Sequence, residues 1–261
     1  MSTTEFIIGL FCRVDEVVGD VPKHAQAKLY PSEVVTLALL FALKGVGPRA
    51  FYRWLSRDYR DLFPKLPERT RLFRLFATHR EWADFFLADA TTLGVADSYG
   101  IELLHPMREG RSEQQIGRKG KSNHRWIVGG KLAYLVNQMG LVVAWDCAAG
   151  NAHDTVFREL IADFQDEMVV LTDTGFHGKV GDPPNMKPCK RGTWNVRMVV
   201  ECILSMLTTV CHFKHVSHRT WPQFMARLAF TMAMFNVLVL WDGLNVDGDG
   251  VIHLSIAPFN L

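Results

Sequence analysis

Two extended apolar runs flanking a glycine-bearing turn constrain this chain most. They are RWIVGGKLAYLVN (125–137) and GLVVAWDCA (140–148), joined through Gln138-Met139-Gly140. Runs rich in β-branched and aromatic residues on either side of such a turn predict a hairpin. A third extended run, TTLGVADSY (91–99), precedes them. NAHDTVFRELIADF (151–164) follows with apolar residues at helical period, Asn151 as the expected N-cap and Asp154 in the first turn. EMVVLTD (167–173) then reads as a buried strand that ends on a carboxylate, Asp173, ahead of Thr174 and Gly175. Strand, strand, strand, helix, strand is an order that predicts a mixed sheet with helices packed on it.

That order is the order of a ribonuclease-H-like core. The expected fold class is therefore α/β: a ribonuclease-H-like mixed sheet flanked by helices, preceded by an all-helical N-terminal region. Before residue 89 the apolar spacing is helical. Glu5–Val18 is one helix, and Pro31-Ser32-Glu33 opens a second in the way helices begin, with Pro and an acid in the first turn. Gly45 and Gly47 break it, Pro48 starts PRAFYRWLSRDY, and ERTRLFRLFATH carries Arg69, Arg71 and Arg74. Short helices around a glycine turn, followed by an Arg-rich helix, fit a helix-turn-helix module and equally a helical bundle with a basic face. The chain divides into residues 1–88 (helical, helix-turn-helix-like, DNA-binding), 89–240 (catalytic core) and 241–261 (tail). After Asp173 the Pro/Gly-rich HGKVGDPPNMKPCKRG predicts a loop with at most one short edge strand. Two helices follow. The apolar stripe Phe224, Leu228, Met232, Phe235, Val239 on the second is read as core. The DGDG of the tail is read as a turn between short extended pieces.

The 261 residues, 48% of them hydrophobic, suffice for a packed core, and nothing in the composition suggests disorder. Cysteines 12, 147, 189, 202 and 211 are odd in number and irregularly spaced, which predicts reduced thiols rather than a disulfide framework. No basic region precedes the N-terminal apolar stretch, and the runs Val34–Leu43 and Ala229–Trp241 are short for a bilayer. The expected location is cytoplasmic, nucleoid-associated in a prokaryote, with no membrane partner. Net charge is only +2 but uneven: ten Lys/Arg against three Asp/Glu between Lys44 and Arg80, and seven against two between His105 and Lys131. Two basic blocks in a nearly neutral chain point to a polyanion, with a solvated helix face as the plainer reading of either block alone. The loop REGRSEQQIGRKGKSNHRW supplies Arg118, Lys119 and Lys121 for phosphate contacts.

Three acids stand among apolar neighbours: Asp97 in LGVADSY, Asp173 at the end of VVLTD, and Glu201 in MVVECILSML. A carboxylate in such company is disfavoured unless it is paired or binds a metal. In a ribonuclease-H-like sheet the first and fourth strands are neighbours, so Asp97 and Asp173 meet and the later helix brings Glu201 to them. Mg²⁺ removes their repulsion. An intrahelical ion pair between Glu201 and Arg197, four residues earlier, is the plain alternative for that acid.

ADS, LTDTGFHGK and RGTWNVRMVVECILSMLT, in this order, resemble the three motifs of an insertion-sequence DDE transposase. The third is similar to the family's Tyr-x₂-Arg-x₃-Glu-x₆-Lys signature: Trp194 stands at the Tyr position, Arg197 and Glu201 match, and Thr208 stands where Lys is usual. The resemblance covers most of the chain. It implies Asp97, Asp173 and Glu201 as catalytic ligands of two Mg²⁺ ions (Mn²⁺ substituting), Trp194 and Arg197 at the DNA, and cleavage of terminal inverted repeats followed by transfer of the 3′-OH strand into target DNA. A homodimer would hold the paired ends. Two metals about 4 Å apart serve such in-line displacements without a histidine base. An inactive or domesticated DNA-binding relative, and a nuclease of the same fold without strand transfer, are the alternatives.

Other readings are weaker. Cys211-x₃-His215-x₂-His218 lacks a paired C-x₂-C for zinc, His153-Asp154 is explained by a helix start, and a single Asp-Thr-Gly lacks the β context of an aspartic protease.

Overall fold

The structure, a computed structural model, describes residues 1–122, 125–179, 181–189, 197–213, 216, 218–248 and 252–259, and for 197–199 the backbone alone. The fold is mixed α/β, a mixed sheet with helices against its faces. At its centre β1 (Leu93–Leu104) is antiparallel to β3 (Arg125–Asn137) and parallel to β5 (Val169–Thr172), and β6 (Met186–Pro188) continues the parallel edge. At the other edge β3 has two partners end to end. β2 (Arg118–Ser122) pairs Arg125 to Gly129, and β4 (Val142–Ala149) pairs Gly130 to Val136.

The change of partner falls on Gly129-Gly130. A Cβ on Gly129 would lie 1.9 Å from the Ile101 carbonyl oxygen, and one on Gly120 1.8 Å from that of Gly150. Backbones approach so closely only where a side chain is missing. β2 corrects the expectation of a loop here. RKGKS has no strand-like composition and becomes extended by pairing with β3, and pairing with another segment is invisible in local composition.

Side chains alternate along the strands, so two cores form. Ala96, Ala133, Leu135, Val143 and Val170 face a thin cover built from Phe157, Ile161 and Phe176. Tyr99, Ile101, Leu132, Tyr134 and Val136 face the larger core, which the helices fill. The thin cover also departs from expectation. In place of one helix over 151–164 there is a 3-10 helix, Asp154–Phe157, then α5 (Arg158–Ala162). The cap is His153, whose Nδ1 accepts from Thr155 N at 3.3 Å, and not Asn151. Asp154 is drawn down to the sheet instead of serving a helix turn: its Oδ1 accepts from Ser98 Oγ at 2.6 Å.

On the thick face lie α1 (Thr3–Val18), α2 (Pro31–Lys44), α3 (Pro48–Asp58), α4 (Arg69–Thr78), α6 (Arg197–Thr209) and α7 (Trp221–Asp242). α1 begins with a capping box, Ser2 Oγ accepting from Glu5 N and Glu5 Oε2 from Ser2 N. α2 ends on Gly45 at φ +65°, a left-handed cap that favours glycine, and α3 leaves at 118° to it. α7 buries the stripe Phe224, Leu228, Met232, Phe235, Val239 and the residues between. It is long and apolar enough to span a bilayer, but 83% of its apolar window is buried inside the protein, so it is a core helix here. It packs on α2, α4, the 3-10 helix Arg80–Phe86 and β4. The tail forms β7 (Asn245–Val246) antiparallel to β8 (Ile252–His253).

One polar side chain ties α7 to the sheet. Asn236, 1% exposed, accepts from Val142 N at 2.8 Å and donates to Val142 O at 2.7 Å and Phe86 O at 2.9 Å. Asn236→Ala strands buried backbone groups and should destabilise the protein by about 2–4 kcal/mol. The measurement is a urea titration, with a lower midpoint at unchanged slope. A stability within about 1 kcal/mol of wild type would mean that water replaces the amide.

Candidate functional site

Parallel pairing sets Leu93 opposite Val169, Gly94 opposite Val170 and Val95 opposite Leu171. Carried two residues on, this register aligns Asp97 with Asp173, the residue that follows β5. The last bonded pair is Val95–Leu171 and Asp173 lies in the turn beyond β5, so the extended register puts the two acids at one level and on one face. Asp173 is exposed and closes its own turn, Oδ1 accepting from Gly175 N at 2.9 Å. Asp97 is half-buried, with Oδ1 accepting from Ser98 N at 2.8 Å. Across the sheet it pairs with Tyr134, whose side chain is fully buried and whose hydroxyl has no hydrogen-bond partner among the described residues. Burial first, and the Asp97 charge second, push that phenol well above its ordinary range.

Glu201 lies on α6, which packs on β1 and buries Val200, Ile203 and Leu207 in the larger core. Its own side chain is exposed. Among the described residues no three His, Cys, Asp or Glu side chains gather as a metal-binding group. The extended register thus aligns Asp97 with Asp173, the residue after β5, while Glu201 lies on the exposed flank of α6. Carboxylates are the hard oxygen donors that Mg²⁺ takes one or two at a time, keeping water on its remaining positions. Asp97 and Asp173 are the pair that would hold such an ion.

Arg197 opens α6 four residues before Glu201; its side chain, like all of Trp194, lies outside the described residues. Thr208 Oγ1 is buried without a hydrogen-bond partner among the described residues, so this side chain offers solvent no polar atom where the transposase signature has Lys. His215 and Lys214 are outside the described residues. Cys211 is fully enclosed, and burial pushes its thiol up to about 12.

Sequence reasoning missed Asp154 as a site residue. Its Oδ1 accepts from Ser98 Oγ at 2.6 Å and from Lys131 Nζ at 3.1 Å. A Cβ on Gly175 would lie 2.8 Å from Asp154 Oδ2 and 3.0 Å from Asp173 Oδ1, so both carboxylates reach the same turn. The loop beyond is ordered by its own bonds. Phe176 is buried under the thin cover, and Asp182 takes His177 Nδ1 at 2.5 Å and Gly178 N at 3.1 Å. The His177 bond, then the Gly178 N–H and the Arg158 charge, hold the Asp182 carboxyl below the usual range. The only sequence signal for Asp154 was the HD pair, and that was satisfied by a helix start.

The basic residues are where charge predicts, in water. Arg69, Arg71 and Arg74 are exposed on α4, and Arg118, Lys119 and Lys121 on β2. Lys119 lies 3.5 Å from Glu109 and 5.7 Å above the exposed Trp126 ring. A further stripe was not singled out: Arg49, Arg53 and Arg57, four apart and exposed on α3.

Set against models of known protein families and against curated proteins, the chain matches none of them.

The buried Tyr134 gives a direct test of the site's packing. Tyr134→Phe removes a hydroxyl with no partner to lose, so stability should stay within about 1 kcal/mol of wild type or rise. Chemical denaturation of both proteins measures this. A loss above about 2 kcal/mol would mean that the phenol is hydrogen-bonded in solution.

Proposed function

We propose that this chain is a DDE-type transposase, a Mg²⁺-dependent DNA endonuclease and strand transferase built on a ribonuclease-H-like core. The observation that supports the reading is the β1–β5 register, which aligns Asp97 with Asp173 when it is extended two residues past Val95–Leu171. The strand arrangement supports the core assignment. The first expected strand, β1, is central; the hairpin of β3 and β4 lies on one side; and the fourth expected strand, β5, is parallel on the other. Bound Mg²⁺ supplies activation of a hydroxyl nucleophile and stabilisation of the leaving oxygen. The chain's own residues do the rest. Asp97 and Asp173 would hold the ion against the sheet, and Glu201, exposed on α6, would be its further ligand. His177 is committed to Asp182 and is not needed as a base.

The DNA-binding part of the proposal rests on exposed cations. α2 and α3 cross at 118° through a three-residue turn, within the roughly 90–120° of a helix-turn-helix. In that reading α3, with Arg49, Arg53 and Arg57, is the helix presented to DNA, and Arg69, Arg71 and Arg74 on α4 flank it. Trp194, Arg197 and the β2 cations Arg118, Lys119 and Lys121 would meet phosphates nearer the acids. A homodimer on paired ends and a nucleoid-associated, cytoplasmic location belong to the same proposal. A second reading, a DNA-binding relative without catalysis, draws on Thr208, whose buried hydroxyl makes no reach toward DNA.

Asp97→Asn, Asp173→Asn and Glu201→Gln should each reduce Mg²⁺-dependent cleavage to background while leaving fold and DNA affinity intact. The assay is single-turnover cleavage of a plasmid carrying the DNA that flanks the coding sequence, beside a binding titration. Full cleavage by any one variant removes that residue from the site. Binding without cleavage by the wild type supports the non-catalytic relative, and cleavage without end joining the nuclease.

Binding and chemistry should separate. Arg71→Ala with Arg74→Ala, and Arg49→Ala with Arg53→Ala, should each weaken DNA binding and flatten its salt dependence by nearly one unit of slope per lost phosphate contact. Cleavage at saturating protein should survive in both. Unchanged slopes in both doubles would mean that these arginines only solvate their helices.

A further inference from the structure

Asp154 joins four elements through one carboxylate. Ser98, which donates to its Oδ1, directly follows Asp97 on β1. Lys131, which also donates to Oδ1, lies on β3. The carboxylate itself belongs to the 3-10 helix after β4, and its Oδ2 faces Gly175 of the Asp173 turn. Side-chain exposure is 13% for Lys131 and 20% for Asp154, so solvent screens the pair little and the geometry is held firmly. Gly175 has no room for a side chain. Any Cβ there would strike Asp154 Oδ2 at 2.8 Å and Asp173 Oδ1 at 3.0 Å.

We propose that Ser98, Asp154 and Lys131 form a clamp that sets the separation of Asp97 and Asp173, with Asp154 as a positioning residue. The inference rests on the reading above that those two acids hold the metal. One end of the clamp is bonded to the residue after Asp97, and the other bears on the residue two beyond Asp173. Asp154 also brings a negative charge to a place where Asp173 is already negative. Lys131 offsets that charge, so the pair fixes the turn without driving the Asp173 carboxylate away. The same 3-10 helix leads into Arg158, whose Nη1 donates to Gly181 O at 3.0 Å and lies 3.6 Å from Asp182. The loop that follows Asp173 is thus held at two points by one segment.

The test uses the full chain, with Mn²⁺ as the probe, bound ion being followed by paramagnetic resonance and turn dynamics by amide hydrogen exchange. Asp154→Ala should weaken Mn²⁺ binding about 10-fold or more. It should also speed exchange of the Gly175–Gly178 amides, with no change in DNA affinity. Gly175→Ala should do the same, because its methyl group displaces both carboxylates. Asp154→Asn, which keeps an oxygen for Ser98 and Lys131, should restore Mn²⁺ binding to within about threefold of wild type, since a clamp needs the shape and a ligand needs the charge. Asn behaving like Ala in Mn²⁺ binding would overturn the positioning role. So would Mn²⁺ binding and exchange in Asp154→Ala that match wild type. If the wild type binds no Mn²⁺, the metal reading fails by itself, and exchange at the turn still decides whether the clamp exists.

Discussion

The parallel pairing of β1 with β5 is the constraint on which the rest of this structure depends. Parallel neighbours cannot be joined by a tight turn, so the chain must cross from β4 over the thin face before β5 can enter. That crossing is the segment Asp154–Ala162, and it makes the smaller core. The same pairing leaves only β6 outside β5, so the sheet's parallel half is short and β5 ends early. An early end puts Asp173 in a turn beside the middle of the longer β1, and Asp97 is therefore met part-way along its strand rather than at its tip.

Charges in the protein are arranged by the same logic of neighbours. Arg227, on the largely apolar α7, is buried and donates to the carbonyls of Phe41 and Cys211. Phe41 lies in the last turn of α2, where carbonyls have no intrahelical partner and the helix end is negative. A cation there satisfies a backbone group and the dipole together. Burial still weighs on it, bringing its guanidinium down to about 10. Lys131 does the opposite work on the thin face, facing a carboxylate instead of carbonyls. Arg227 is thus held by carbonyls of two separate segments, and Lys131 by one carboxylate.

Much of the backbone was legible because its signals are local. Pro31 and Gly45 bound α2, Gly140 at φ +76° turns the hairpin, and the apolar run 125–137 matches β3 end to end. The short edge strand after Asp173 and the short extended pieces of the tail were legible in the same way, while Asp249 and Gly250 of the expected DGDG turn lie outside the described residues. What the sequence could not carry is contact between distant residues. β2 reads as loop because its strand character is lent by β3. Asn236 reads as a polar interruption in an apolar helix until Val142 and Phe86 are beside it. Asp154 reads as a first-turn acid, which is a sufficient local explanation; its real partners are 56 positions away at Ser98 and 23 at Lys131. Of the site, element order predicts β1 beside β5, which is the pairing observed, whereas the surroundings of Asp97 and Asp173 were not legible.

A last consequence concerns how binding and chemistry would be coupled in such a protein. One continuous apolar cluster runs from α1 through α7 to Tyr99, Ile101 and Tyr134 on the sheet. Asn236 adds a bonded tie between the 3-10 helix Arg80–Phe86, α7 and β4. Packed interiors transmit displacement instead of absorbing it. DNA docked on α3 and α4 would therefore be placed relative to β1 by the core itself, and not by a linker whose length sets an average. The side chains left to adjust are those at the edge of the core, Glu201 on the exposed flank of α6 and Asp173 in its turn. In that arrangement the helices supply position, the strand ends supply charge, and the final approach of Glu201 is the step that bound metal and DNA would drive.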